Sequence, residues 1–167
     1  MVSPELLHRY PFFAGLGCEQ LGSLARLAEP LTVETGGHLF YEGVGLTSLY
    51  LVIEGRVAIT LSRPEVISRV IIPPPGARIR EVAVSLVGVG DIFAWSSLVP
   101  PFKATSNARA ATRCKLLAID AAELRQLFEL EPRFGYEVMV RVAQVARDRL
   151  QDLHYESLVS AVGAAAK

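Results

Sequence analysis

Residues 31–61 read LTVETGGHLFYEGVGLTSLYLVIEGRVAITL. Short apolar pieces alternate here with turns that carry glycine, and that texture is one of short strands. The piece SLYLVIEGRVAITL predicts a hairpin, with one strand over 48–53, a turn at Glu54-Gly55 and a second strand over 56–61.

Upstream the texture differs. Leu16, Leu21, Leu24, Leu27 and Ala28 recur near helical spacing, and Pro30 is positioned to end that pattern. Downstream, residues 62–81 contain Pro73-Pro74-Pro75-Gly76, which cannot sit in a central strand. This stretch reads as a long hairpin or loop with Arg63, Arg69, Arg78 and Arg80 solvated. Strands resume with EVAVSLV, pass Gly88-Val89-Gly90-Asp91, continue at Ile92-Phe93 and end over residues 107–119. Asp120 with Glu123 three residues on then forms a capping box. Pro132 suits the first turn of a long helix that runs to about Ser160.

Strands in one run with helices on both sides mean an α+β protein, the strands closing as a jelly roll or barrel. The expected organisation is an N-terminal helical segment over 1–30, a β-roll over 31–119 and hinge and C-terminal helices over 120–160. A tail over 161–167 is expected to fray.

Composition narrows the function. The 167 residues fit one domain that can bury a core without metal or disulfide staples. Lys+Arg and Asp+Glu are both 17, so no excess positive charge is available to hold a phosphate backbone, and direct nucleic-acid binding is not expected. The start carries Glu5, His8 and Arg9 and no apolar h-region, so it does not read as a signal peptide. Val82 to Phe102 holds one charge, Asp91, but its glycines and prolines break it into two short buried strands and a loop rather than a membrane span. Cys18 and Cys114 are too few for a zinc or iron–sulfur cluster and read as buried, reduced thiols of a cytoplasmic protein. His8, His38 and His154 fall on separate elements with no metal-ligand spacing, and no nucleophile elbow, Walker loop or HExxH occurs. No catalytic residue, metal or cofactor is therefore assigned, and the chain does not read as an enzyme.

The last helix has two stripes. Tyr136, Met139, Ala143, Ala146, Leu150, Leu153 and Ser157 alternate three and four apart, which is a coiled-coil seam. Phe134, Val138, Val142 and Val145 lie on another side. One stripe can bury within the chain while the other meets a second copy, so a homodimer is expected, against a single wide face buried within one subunit.

The segment that carries chemistry is DIFAWSSLVPPFKATSNARAAT, residues 91–112. A short helical turn at Ser96-Ser97-Leu98 exposes backbone N–H groups that suit an anion. A guanidinium facing it, from Arg109, would clamp phosphate oxygens. The bland alternative is a loop with one surface arginine.

Five stretches in order resemble the cyclic nucleotide-binding domains of the catabolite-activator/FNR superfamily. They are Phe12-Phe13-Ala14-Gly15-Leu16, Gly36 to Gly43, Leu49-Tyr50-Leu51-Val52-Ile53-Glu54-Gly55-Arg56-Val57, Gly90-Asp91-Ile92-Phe93 and Arg109-Ala110-Ala111-Thr112. The resemblance implies a jelly-roll β-barrel with N-terminal helices and a long C-terminal helix, forming a stand-alone sensory or regulatory domain with a phosphate-binding cassette over 91–112. It implies ligand contacts from Phe93, Ala94, Trp95, Ser96, Ser97, Arg109, Ala110 and Ala111, with Tyr136 or Arg141 as a lid over the base. The implied ligand is cyclic AMP, and cyclic GMP is disfavoured because Ala110 lacks a hydroxyl. An unidentified protein effector would receive the signal. Two departures stand out. Ala94 replaces the family's turn glycine, and Trp95 replaces the glutamate that binds the ribose hydroxyl. Losing that charged hydrogen bond costs roughly 1.5–3 kcal/mol, or about tenfold to a hundredfold in affinity. Trp95 is expected to fill the vacated space or to stack on a base. The alternatives are a dimerisation or interaction scaffold with a degenerate pocket, and the sensor fragment of a transcription regulator. Only seven residues follow Ser160, so the last requires a longer protein.

Overall fold

The computed structural model describes residues 2–64 and 79–165. The stretch with Pro73-Pro74-Pro75-Gly76, with Arg69 and Arg78, lies outside the described residues, as do the side chains from Glu156 onward, Ser157 among them. The chain divides into two compact units, Met1–Leu124 and Arg125–Lys167.

The first unit opens with α1 (Pro4–His8), a 3-10 turn (Pro11–Phe13) and α2 (Cys18–Leu27). Gln20 Oε1 accepts the Gly17 N–H at 2.8 Å and caps the start of α2. Eight strands follow: β1 (Ala28–Val33), β2 (His38–Phe40), β3 (Ser48–Glu54), β4 (Val57–Pro64), β5 (Ile79–Val87), β6 (Ile92–Phe93), β7 (Asn107–Ala110) and β8 (Cys114–Asp120). They form two antiparallel four-stranded sheets, ordered β1-β8-β3-β6 and β2-β7-β4-β5. This is the jelly-roll β-barrel with N-terminal helices and a long C-terminal helix that the sequence predicts.

The expected 48–61 hairpin does not form. β3 pairs with β8 and β6, whereas β4 pairs with β7 and β5. Pairing with β8 and β7 takes the two strands into different sheets, and Gly55 makes the corner between them. Its φ of 89° turns the chain sharply, and a Cβ there would lie 2.3 Å from the Arg113 carbonyl oxygen. The corner passes the chain from one sheet to the other. Pro30 also plays a different part from the one expected. The helix ends at Leu27, and Pro30 sits inside β1, an edge strand where a missing N–H is tolerated.

Between the sheets lies a core of Phe40, Leu46, Val52, Val57, Val87, Phe93, Ala104, Ala108, Ala110, Cys114 and Leu116. Cys114 is buried as expected, but Cys18, at the first turn of α2, is exposed. The Val82 to Phe102 stretch forms strands, as expected, yet β5 is an edge strand and leaves Val82 and Leu86 exposed. Arg63 and Arg80 face each other across β4 and β5 and are both exposed.

At the end of the strands, Asp120 Oδ1 accepts the Glu123 N–H at 2.8 Å and caps α3 (Ala121–Leu130). In the second unit, α4 starts at Pro132 and continues to Ala165, into the stretch expected to fray. Gly135 allows Phe128 to approach, since a Cβ there would lie 2.8 Å from the Phe128 Cβ. Phe128 and Phe134 meet edge to face at 5.6 Å. Along α4, Phe134, Val138 and Val142 are buried, while Tyr136, Leu150 and Leu153 are exposed. Among the described residues, no helix is long and apolar enough to cross a membrane.

Candidate functional site

The cassette begins at a turn held by its own side chain. Asp91 Oδ2 accepts the Gly88 N–H at 3.0 Å, and Gly90 takes a φ of 88°. Gly90 N–H donates to the Val52 carbonyl and Val52 N–H to the Asp91 carbonyl, at 2.9 and 3.0 Å. These bonds fasten the turn to β3, and Phe93 then pairs with Tyr50. Phe93 is fully buried in a group with Tyr50 and Phe40, its ring centroid 5.1 and 6.2 Å from theirs.

Ala94 is left-handed, with φ 63° and ψ 29°. It opens a single 3-10 turn, Trp95–Leu98, in which Ser97 and Leu98 are buried and Trp95 and Ser96 are half-buried. The family's glycine position therefore keeps its glycine-like backbone although the residue is alanine. Ser97 N–H donates to the Ala94 carbonyl at 3.0 Å, closing the turn on itself. Of the backbone donors of the Ser96-Ser97-Leu98 turn expected to face an anion, the Ser97 amide is thus already committed.

The return leg of the cassette passes Phe102, Lys103 and Ala104. It is laced to the loop after β2 by three backbone hydrogen bonds of 2.8 Å: Gly43 N–H to the Ala104 carbonyl, Ala104 N–H to Val44 and Leu46 N–H to Phe102. β7 follows, and its alternation decides where Arg109 points. Ala108 and Ala110 face the core between the sheets, and Ala94 packs against that same core. Arg109 lies between the two alanines, so its side chain takes the opposite face. There its Nε is 3.9 Å from Glu81 Oε2, and the side chain is 46% exposed. The expected clamp of Arg109 on the Ser96-Ser97 turn is corrected accordingly. Phe93, Ala94 and Ala110 come together at the core, whereas Arg109 joins a different cluster. Ala111 is exposed beyond the end of β7, its N–H donating to the Arg56 carbonyl at 2.9 Å.

That cluster was not read from the sequence. His38 Nε2 lies 3.2 Å from Glu81 Oε1, and Thr60 Oγ1 donates to Glu81 Oε2 at 3.3 Å. Asn107 Nδ2 donates to Thr60 Oγ1 at 3.3 Å and to Ser62 Oγ at 3.0 Å. The alternation of β7 was the available signal, because alanines at 108 and 110 place residues 107 and 109 on the other face.

The proposed lid residues belong to the second unit. Tyr136 is 71% exposed, and Arg141 Nη1 donates to the Glu137 carbonyl on its own helix at 2.9 Å. On the expected dimer stripe, Met139 and Ala146 are half-buried, and Ala143, Leu150 and Leu153 are exposed.

Comparison with known proteins fits this geometry. A family model described as the cyclic nucleotide-binding domain matches residues 30–131, which takes in both sheets except the first two residues of β1, and the whole cassette. The chain belongs to the cyclic nucleotide-binding domain family. A solved structure from Geobacter metallireducens, described as a cyclic nucleotide-binding protein, is 33% identical, with a TM-score of 0.75 over 90% of this chain and 99% of that one. The CRP-like cAMP-activated global transcriptional regulator of Mycobacterium tuberculosis is 25% identical over 89% of this chain. A protein of Rhodopseudomonas palustris named as a potassium channel is 27% identical over 83% of this chain. The chain spans 62% of that regulator's length and 30% of the channel protein's. As a member of this family, the chain is a sensory and regulatory type of domain.

Proposed function

We propose that the chain takes a cyclic AMP-like nucleotide at the cassette with reduced affinity, and that the ligand biases the placement of the C-terminal helices. The observation that carries this reading is the cassette backbone. The Gly90 turn, the left-handed Ala94 and the one-turn 3-10 segment with Ser97 buried keep the shape of a ligand cradle even where the side chains depart. The Ser96 amide and the Ser97 hydroxyl would meet the phosphate, and Ala110 would line the site without a hydroxyl for guanine. Tyr136 and Arg141 would close over the base. The regulator of M. tuberculosis, named as cAMP-activated, supports the same ligand class.

Reduced affinity follows from the charges. Trp95 offers no carboxylate to a ribose, and Arg109 is turned to Glu81. A phosphate bound without a paired cation and a ribose without its charged acceptor together weaken binding by roughly a hundredfold or more. A homodimer through Met139, Ala143, Ala146, Leu150 and Leu153, a cytoplasmic location and a protein effector complete the reading. The test is isothermal titration with cyclic AMP and cyclic GMP. Weak heat from cyclic AMP, above that from cyclic GMP, supports it. No heat and no thermal protection at millimolar nucleotide would sink it.

A second reading has its own support. The outward turn of Arg109 and the apolar core of Phe40, Tyr50 and Phe93 suit a domain that acts through its surfaces, as an interaction or dimerisation scaffold. The regulator of M. tuberculosis, which is longer than this chain, favours a sensor portion of such a regulator as a third possibility.

A further inference from the structure

We infer that Asn107 is a positioning residue for the cassette. The residue is 2% exposed, yet its side chain makes three hydrogen bonds that tie together parts of the chain far apart in sequence. On one side Nδ2 donates to Thr60 and Ser62 of β4. On the other, Oδ1 accepts the Glu42 N–H at 2.8 Å. Glu42 opens the loop whose next residues, Gly43 to Leu46, hold Phe102 to Ala104 through the backbone bonds already described. The order of attachment is therefore β4, Asn107, Glu42, loop, cassette return leg. Thr60 in turn is bound to Glu81, which also faces His38 and Arg109, so the far end of the chain of contacts is anchored on three strands. A buried amide satisfied on both ends fixes orientation sharply, because any shift leaves a buried polar atom without its partner. Asn107 touches no ligand. It sets where the return leg lies relative to the turn at Trp95–Leu98, and so sets the width of the cradle.

This inference rests on the cassette reading for its relevance to ligand, but its structural content is testable without one. Amide hydrogen exchange would be followed in the wild type, in Asn107→Ala and in Asn107→Asp. The aspartate keeps an oxygen for Glu42 N–H and its other oxygen can accept from the Ser62 hydroxyl, while Thr60, whose one hydrogen goes to Glu81, is lost as a partner. In Asn107→Ala, exchange at Gly43, Leu46 and Ala104 should accelerate at least tenfold beyond any change at Val52 and Leu116 in the opposite sheet. Asn107→Asp should restore part of the protection at those three amides, through the retained Glu42 bond. Emission from Trp95, the single tryptophan, should shift in the alanine variant and return in the aspartate variant. Acceleration equal in both sheets would overturn the inference, because it would mean a general loss of stability. Should Asn107→Ala fail to fold, Thr60→Val removes one of the two hydroxyl partners without changing volume, and the same amides should respond alone. Nucleotide titration separates the two claims. If the wild type binds no nucleotide while the exchange pattern is as described, the ligand reading fails and the positioning role stands.

Discussion

Ala94 occupies a left-handed conformation that costs an L-residue with a Cβ roughly 1–2 kcal/mol, part of which glycine gives back as chain entropy. Ala94→Gly should therefore stabilise the protein by about 0.5–1 kcal/mol in urea denaturation, and a loss of stability would contradict the left-handed assignment. Gly55 is the converse case. Its positive φ and the Arg113 carbonyl 2.3 Å from a Cβ leave no room, so Gly55→Ala should cost about 2 kcal/mol or more, read as a lower midpoint at unchanged m. Arg109→Ala should cost under about 1 kcal/mol, since its pair with Glu81 is long and both side chains are partly solvated. The residue scale is also where the sequence misleads. Arg109-Ala110-Ala111-Thr112 matches the family's motif letter for letter, yet a motif does not say which face of a strand its arginine takes. The alternation of Ala108 and Ala110 does, and it points Arg109 away.

Among the elements, β6 is two residues long and is held by what it buries. Phe93→Ala should cost about 3–5 kcal/mol in chemical denaturation, because it removes a fully buried ring that packs on both Tyr50 and Phe40. α4 carries a stripe of exposed apolar side chains that includes Leu150 and Leu153, at 58% and 41% exposure. Sedimentation at tens of micromolar should find a dimer that Leu150→Glu with Leu153→Glu converts to monomer. A wild-type monomer under those conditions would refute the seam. Most elements were legible from period and punctuation: the strand run, the Asp120 cap and Pro132 at the head of α4 all read directly. The 48–61 hairpin did not. Local spacing records a turn at Gly55 but not that the two strands leave it for different sheets, which is settled by long-range pairing with β7 and β8.

For the whole molecule, two sheets enclose an apolar core, and among the described residues the only buried polar or charged ones are Thr60, Ser97 and Asn107. The fold is that of its family, while Trp95 stands where a carboxylate would meet a ribose and Arg109 is turned to Glu81. The sequence displays the missing glutamate at Trp95 openly, but the missing cation is hidden behind Arg109 until the strand faces are known. The most direct measurement is cyclic AMP titration by calorimetry on the wild type and Arg109→Ala. The expected result is weak binding, with Kd above about 10 μM, that changes less than about twofold when Arg109 is removed. Submicromolar binding that Arg109→Ala abolishes would contradict the account at its centre.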